Sequence, residues 1–181
     1  MIQFAKKLSK TEKKIFLLTH YQDPKIKTGI FRNVRTIYYK KESVFKNNLF
    51  SFIISIIEVI KVFLIFKNFN SFIKNYKFSG MYLGDLMYDA YIRTNHDYLN
   101  PKFDLKFIKI IFLAIYRIKI LEKIIKRVKP KQIFIGTEAY IHLSSLCARI
   151  GYKKNIKIYE MSRRVFHENH LKIHTHKEIK L

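Results

Sequence analysis

The feature that most restricts the fold is the alternation of helical and strand-like apolar patterns between residues 103 and 159. Over residues 103–128, apolar side chains recur at the 3.6-residue period of a helix, and basic residues fill the remaining faces. Pro101 lies near the start of this segment and Pro130 follows its end. The apolar positions are Phe103, Phe107, Ile111, Ala114, Ile118, Leu121, Ile125 and Val128. The pattern predicts a long helix docked on a sheet, with a membrane or partner surface as the alternative.

Two short apolar runs separated by a helical pattern follow this helix. Residues 131–136 and 155–159 are predicted to be strands, and residues 139–150 a helix that stops at Gly151. Consecutive strands joined by a helix pair in parallel through a right-handed crossover. The sequence therefore predicts an α/β fold with a parallel sheet and flanking helices.

Polar residues lie where the first of these two strands ends. Ligands of parallel sheets lie beyond the carboxyl ends of the strands. Thr137, Glu138 and Tyr140 follow the strand at that position, so we expect them to contact substrate. Glu138 is a candidate general base, and an ordinary helix N-terminus is the alternative interpretation.

The first 75 residues are less informative. Residues 14–19 and 35–39 are predicted to be strands, with a short helix as the alternative for the first, and Gly29 is predicted to mark a turn between them.

Residues 49–66 form the most apolar run of the chain and are long enough to be considered as a transmembrane helix. Glu58 and Lys61 lie near the middle, three residues apart, where a pair of charges opposes insertion. The alternative is a helix packed in a core or lying at a membrane surface. Lys46 and Lys67 flank the run and suit contact with lipid headgroups.

The sign of the charge reverses locally in residues 80–98, although the chain holds 36 Lys+Arg against 13 Asp+Glu. Asp85, Asp89 and Arg93 are spaced four apart, so on a helix they share one face, and Asp89 can pair with Arg93. Asp85 follows Gly84 in the first turn, where the helix dipole favours a carboxylate. The stretch is either a substrate site or an internally neutralised helix start. Its tyrosines, Tyr82, Tyr88 and Tyr91, suit sugar rings and a core edge equally well.

The net charge of +23 indicates either a polyanionic partner or the lysine bias of an AT-rich coding sequence. Lysines far outnumber arginines, which favours an anionic membrane surface over specific nucleic-acid recognition. The single Cys147 suits a reducing cytosol as an inert thiol, and the polar N-terminus is unlike a signal peptide. We expect a cytoplasmic protein, peripheral on the inner face of the membrane.

The last twenty residues are polar and rich in histidine. Four histidines are close enough in sequence to hold a metal: His167, His170, His174 and His176. Apart from Glu168, no cysteine or carboxylate completes a recognised pattern, so no metal site is predicted. We expect one α/β domain over residues 1–161 and a tail over 162–181. The sequence has no glycine-rich nucleotide-binding motif, so no cofactor is predicted for this chain.

The stretch from residue 80 to residue 93 resembles a signature of bacterial proteins of capsule and surface-polysaccharide biosynthesis. The residues that match it, with their spacing, are Gly80, Gly84, Asp85, Tyr88, Asp89, Tyr91 and Arg93. The segment that contains Gly136, Tyr140 and Ala148-Arg149-x-x-Gly151 is similar to the corresponding part of those proteins. The resemblance covers residues 80–160. These proteins are treated as glycosyltransferase-like, with a GT-B arrangement of two Rossmann-like halves.

The resemblance implies the acceptor-side, N-terminal half of such an enzyme. It implies substrate contacts from Gly84, Asp85, Tyr88, Asp89 and Arg93, and a glycan or lipid-linked acceptor. The half that holds the nucleotide sugar is expected to be missing, with the tail as its start, so the chain is either a truncated product or the partner of a separate donor domain. We then expect no activity from the chain alone, with Asp85 and Glu138 as candidate bases in a complete enzyme. A basic membrane- or nucleic-acid-binding module without catalysis is the alternative.

Overall fold

The structure of the protein is a computed structural model. It describes residues 15–19, 34–38, 48–94, 102–136, 143–161 and 171–173. The chain divides into two compact units, Met1–Leu49 and Phe50–Leu181. The predicted extents of the domain and of the tail stay predictions.

In the first unit the structure describes two strands, β1 (Ile15–Thr19) and β2 (Val34–Tyr38). They pair in parallel, with Ile15 opposite Val34 and Thr19 opposite Tyr38. Both predicted strands are thereby confirmed to within one residue at each end. The predicted turn at Gly29 lies outside the described residues.

The second unit begins at the second residue of a helix, and a further helix and a hairpin follow. Helix α1 (Leu49–Ile65) fills the apolar run, and helix α2 (Phe69–Asn75) follows it. The sequence analysis did not predict α2, although Asn68 caps this helix by accepting a hydrogen bond from the Ser71 amide at 2.7 Å.

Strands β3 (Lys77–Phe78) and β4 (Met81–Tyr82) form an antiparallel hairpin. The two turn residues, Ser79 and Gly80, both have positive φ, 51° and 76°. Positive φ at both positions is the geometry of a type I′ turn, whose twist matches that of the strands it joins. Gly80 adopts this conformation without the steric cost that a Cβ would bring.

Two longer helices complete this part of the unit, α3 (Gly84–Thr94) and α4 (Leu105–Val128). The predicted helix over residues 103–128 is confirmed, and most of its predicted apolar positions are buried. They are Phe107, Ile111, Ala114, Ile118, Leu121 and Ile125. Its main neighbours, however, are α3 and α5 (Leu143–Lys153), so the predicted docking on a sheet is wrong.

Aromatic rings fill the space between α2, α3 and the start of α4. The rings of Phe69 and Phe107 have centroids 4.5 Å apart, and Phe72 stacks on Tyr76 at 4.7 Å. Tyr91 brings α3 into the same cluster, 5.4 Å from Phe107. Burial of side chains of this size contributes about 1.5–3 kcal/mol each, so this cluster fixes α3 on the body of the unit.

The strand–helix–strand unit is present. Strands β5 (Gln132–Gly136) and β6 (Lys157–Met161) pair in parallel on either side of α5, as predicted. Strand β7 (Leu171–Ile173) pairs antiparallel with β6 and gives the order β5-β6-β7. Part of the predicted tail therefore extends this sheet.

The predicted fold class, a Rossmann-like parallel sheet resembling the N-terminal half of a GT-B glycosyltransferase, is wrong. Helices dominate: the longest helix has 24 residues, whereas no described strand exceeds 5. The described strands form separate small sheets, and the one around β6 mixes parallel with antiparallel pairing. The physical reason is that α4 buries its apolar face against other helices and not against one continuous sheet.

Candidate functional site

The start of α3 is set by a glycine that lies against the end of α2. A Cβ on Gly84 would lie 2.5 Å from the carbonyl oxygen of Ile73 and 2.6 Å from that of Phe72. Both atoms belong to backbone, which cannot move aside as a side-chain tip does. Gly84 therefore has a packing role, and its predicted contact with substrate stays a prediction.

Asp85, the next residue, pairs with a residue that the sequence did not indicate. Its Oδ2 accepts a hydrogen bond from Nη2 of Arg149 on α5, 64 residues further along the chain. The Arg149 side chain is 13% exposed and that of Asp85 is 32% exposed. The pair thus links the first turn of α3 to the strand–helix–strand unit.

The second carboxylate oxygen of Asp85 is a buried acceptor. Within the described part of the chain, Oδ1 has no hydrogen-bond partner. A carboxylate has about four lone-pair sites, so Asp85 can accept further hydrogen bonds beside the one from Arg149. The guanidinium holds the carboxylate in one orientation. The side chain as a whole is 32% exposed, so a ligand hydroxyl can approach the group, although Oδ1 itself is buried.

The other predicted residues on α3 differ in exposure. Tyr88 is partly buried, with its ring 5.9 Å from that of Phe69, and Asp89 is also partly buried. Arg93 is exposed one turn beyond Asp89. The predicted pairing of Asp89 with Arg93 stays a prediction.

Tyr91 has a structural contact that its sequence context did not show. Its hydroxyl donates a hydrogen bond to Oδ2 of Asp104 at 3.1 Å. The Asp104 Oδ1 in turn caps α4 by accepting from the Phe107 amide at 2.8 Å. Tyr91 is 2% exposed, so it supports the core and not a sugar-binding surface.

Tyr82 is placed differently. It lies on the hairpin, 44% exposed, with Nζ of Lys77 4.1 Å above its ring. This cation–π contact joins residues directly opposite each other on β3 and β4. The ring edge remains open to solvent near the start of α3.

The remaining predicted contacts, Thr137, Glu138 and Tyr140, lie outside the described residues. Strand β5 ends at Gly136, directly before them, and α5 carries Arg149. Their predicted role at the end of the strand stays a prediction.

Glu58 forms a second ionic group on the inner side of α1. Its carboxylate lies 3.8 Å from Nζ of Lys61, which confirms the predicted pairing. It also accepts a hydrogen bond from the Tyr76 hydroxyl at 3.3 Å. Burial, and then the negative charge of Glu58, raise the pKa of Tyr76 far above its usual range, so this phenol stays protonated.

Three further features of the described residues bear on function: possible metal donors, the thiol, and the apolar length of the helices. Across the described ranges no three His, Cys, Asp or Glu side chains gather as metal donors, and the four tail histidines lie outside those ranges. Burial raises the pKa of the Cys147 thiol to about 12, so at neutral pH this residue is an unreactive thiol. None of the described helices has the length and apolar character required to cross a membrane.

Comparisons with known proteins return nothing: no protein family, curated protein or solved structure matches this chain.

Proposed function

We propose that this protein is an acceptor-side domain in the synthesis of a bacterial surface polysaccharide and binds a growing or lipid-linked glycan next to Asp85. The observation that supports the proposal is the Asp85–Arg149 pair. The resemblance rests on two segments, residues 80–93 and the segment around Arg149, and this pair brings them into contact. Two segments that contribute to one binding site have to lie next to each other in the fold, as these two do at the Asp85–Arg149 pair.

The chemistry of the site suits a neutral hydroxylated ligand. A carboxylate accepts hydrogen bonds from sugar hydroxyls, and hydrogen bonds to a charged group contribute about 1.5–3 kcal/mol. Asp85 is oriented by Arg149 and keeps acceptor capacity. Tyr82 offers a partly exposed ring nearby in sequence. Asp89 and Tyr88 on the following turn, and Thr137, Glu138 and Tyr140 after β5, are the further contacts that we propose.

In this proposal the domain supplies the acceptor side of a glycosyl transfer, and a nucleotide sugar enters from a donor-binding partner. Asp85 and Glu138 are the candidates for the base that takes the proton of the attacking hydroxyl. The proposed location is the inner face of the cytoplasmic membrane, where lipid-linked glycans are extended.

Binding to an array of bacterial surface oligosaccharides, followed by calorimetry with the tightest binder, tests the proposal. We expect Asp85→Asn to weaken that binding about tenfold or more, because the loss of a charge-assisted hydrogen bond is at least 1.4 kcal/mol. Asp89→Asn and Tyr88→Phe, at partly buried positions on the same helix, are expected to weaken it less.

Glu122→Gln is the matched control. Glu122 lies 3.1 Å from Nζ of Lys119 and 3.9 Å from that of Lys153, so this change also removes a paired carboxylate, but on α4. Its affinity should equal that of the unmodified protein. If no oligosaccharide binds, or if Asp85→Asn and Asp89→Asn bind as tightly as Glu122→Gln, the proposal fails.

The salt dependence separates this function from that of a basic module that binds polyanions. Association with a nucleic acid weakens steeply as salt rises, because counterions are released on binding. Binding of a neutral oligosaccharide should change little between low and physiological salt. A steep slope with DNA or RNA and no glycan binding would favour the polyanion-binding alternative.

A further inference from the structure

The outward face of α1 carries only apolar side chains. At 100° per residue, the eight positions on this face fall within an arc of about 140°. Their exposures range from 38% for Phe63, which packs against Phe103 at the edge of this face, to 78% for Leu64. They are Leu49, Phe50, Ile53, Ile56, Ile57, Ile60, Phe63 and Leu64. We call this set the α1 face.

Contacts on the other side of the helix fix its orientation. Val62 is 1% exposed and Ser55 is fully buried. The ring of Phe52 lies 5.1 Å from that of Phe112 on α4. Glu58 is bonded to the Tyr76 hydroxyl on the same inner side. The helix therefore cannot rotate to bury the α1 face without breaking these contacts.

An exposed helix normally carries polar residues on its outer face. Contiguous apolar patches on a protein surface mark sites that contact another protein or a membrane. The α1 face is of this kind, so its occupant has to be apolar where it meets the eight side chains.

The charges at the edge of the α1 face point to anionic lipid as this occupant. Lys61 borders the arc with its side chain 58% exposed, and Lys67 and Lys74 are exposed shortly beyond the helix. The one acidic residue on α1, Glu58, is on the inner side. A second copy of the chain would bring a charge of +23 against another +23, which opposes self-association.

We propose that α1 lies in the plane of an anionic membrane surface, with the α1 face among the acyl chains and Lys61, Lys67 and Lys74 at the headgroups. With 17 residues, α1 is shorter than the ~20 that a span requires, but it suits an interfacial helix. The proposal does not rest on glycan binding, and it places a specific element of the fold in the membrane.

Tryptophan fluorescence tests the depth of the helix, because the chain has no Trp of its own. Phe50→Trp places the indole on the α1 face, and Leu105→Trp places it at an 82% exposed position on α4. With vesicles of phosphatidylglycerol and phosphatidylcholine, we expect the emission of Phe50→Trp to shift to the blue and to be quenched by brominated acyl chains. The emission of Leu105→Trp should stay unchanged.

Vesicle flotation tests which side chains drive binding. Phe50→Gln combined with Leu64→Gln, at positions 76% and 78% exposed, should lower partitioning to anionic vesicles about tenfold or more. Leu105→Gln is the matched control and should leave partitioning unchanged. Vesicles of phosphatidylcholine alone should bind the unmodified protein more weakly than anionic vesicles do.

Each alternative occupant gives a result that overturns the proposal. If other parts of this chain cover the α1 face, Phe50→Trp will emit in the blue before vesicles are added and will not change. If a second copy covers it, sedimentation will show an oligomer that Phe50→Gln with Leu64→Gln dissociates, without vesicle binding. Equal losses for the double variant and Leu105→Gln, or no binding to anionic vesicles, also overturn it.

Discussion

At the scale of single residues, the two glycines that begin the signature serve different purposes. Gly80 occupies open space but needs a positive φ, whereas Gly84 has no such φ but lies against two backbone oxygens. The sequence marked both residues and the acidic pattern after them. It could not indicate Arg149 as the partner of Asp85, because helical spacing pairs only residues three or four apart. A contact across 64 residues depends on the tertiary fold.

Gly84→Ala should destabilise the protein by about 2 kcal/mol or more, because the added methyl group meets rigid backbone and forces α3 away from α2. Gly80→Ala is the comparison. No atom lies within 4 Å of the Cβ that this change adds, so only the strain of alanine in the left-handed conformation, about 1 kcal/mol, lowers the stability. Urea unfolding of both variants measures the difference. A Gly84→Ala variant as stable as the unmodified protein would contradict the close approach of α3 to α2.

The Cys147 thiol should react slowly in the native protein. With its pKa raised to about 12 from a usual 9.0, the thiolate at pH 8 is about a thousandfold rarer than in the unfolded chain. The same shift should lower stability as pH rises above 9, because the unfolded chain then loses this proton first. Iodoacetamide labelling with and without urea measures the reactivity, and equal rates would contradict the raised pKa of this thiol.

At the scale of elements, helix boundaries and faces were more predictable than helix partners. Helix α4 was predicted within two residues because its periodicity is long and its ends carry prolines. Helix α2 was missed because seven residues are too few for a periodic signal; only Asn68 and the aromatic spacing indicated it. The Ser79-Gly80 pair, a dipeptide typical of turns, indicated the hairpin.

The N-cap of α4 also receives the hydrogen bond from α3, so its loss should be costly. We expect Asp104→Ala to reduce stability by about 1–2 kcal/mol from the cap, and by about 1 kcal/mol more from the lost hydrogen bond of the Tyr91 hydroxyl. Asp104→Asn keeps a capping oxygen and should lose less. Tyr91→Phe isolates the second contribution. Thermal or urea unfolding of the three variants measures these losses, and an unchanged Asp104→Ala would contradict the assigned role.

At the scale of the whole molecule, the strand–helix–strand prediction was right locally and misleading globally. The parallel pairing of β5 with β6 follows from the sequence, since the connection through α5 permits it. The prediction that all strands belong to one parallel sheet was wrong, because β1 pairs with β2 in a separate sheet and β7 pairs antiparallel with β6. Apolar runs predict strands but do not specify which strands pair.

The apolar run of α1 is a similar case. The polar residues Ser55 and Glu58 lie on the inner side of this helix, so the usual rule that polar residues face solvent orients it wrongly. The sequence left a core, a membrane surface and a span as alternatives. The contacts of Phe52 with Phe112 and of Glu58 with Tyr76 decide which side faces inward. The α1 face is therefore the exposed side of the helix. Its proposed contact with lipid can be tested independently of glycan binding.

The signature stretch of residues 80–93 and helix α5 are held together by the pair of Asp85 and Arg149. A double-mutant cycle with Asp85→Asn, Arg149→Met and the combined variant, followed by urea unfolding, tests it most directly. Asp85 is 32% exposed and thus partly screened, so we predict a coupling energy of about 1–2 kcal/mol, with the double variant losing less than the sum of the two single losses. Strict additivity of the two losses, within about 0.5 kcal/mol, would contradict the claim.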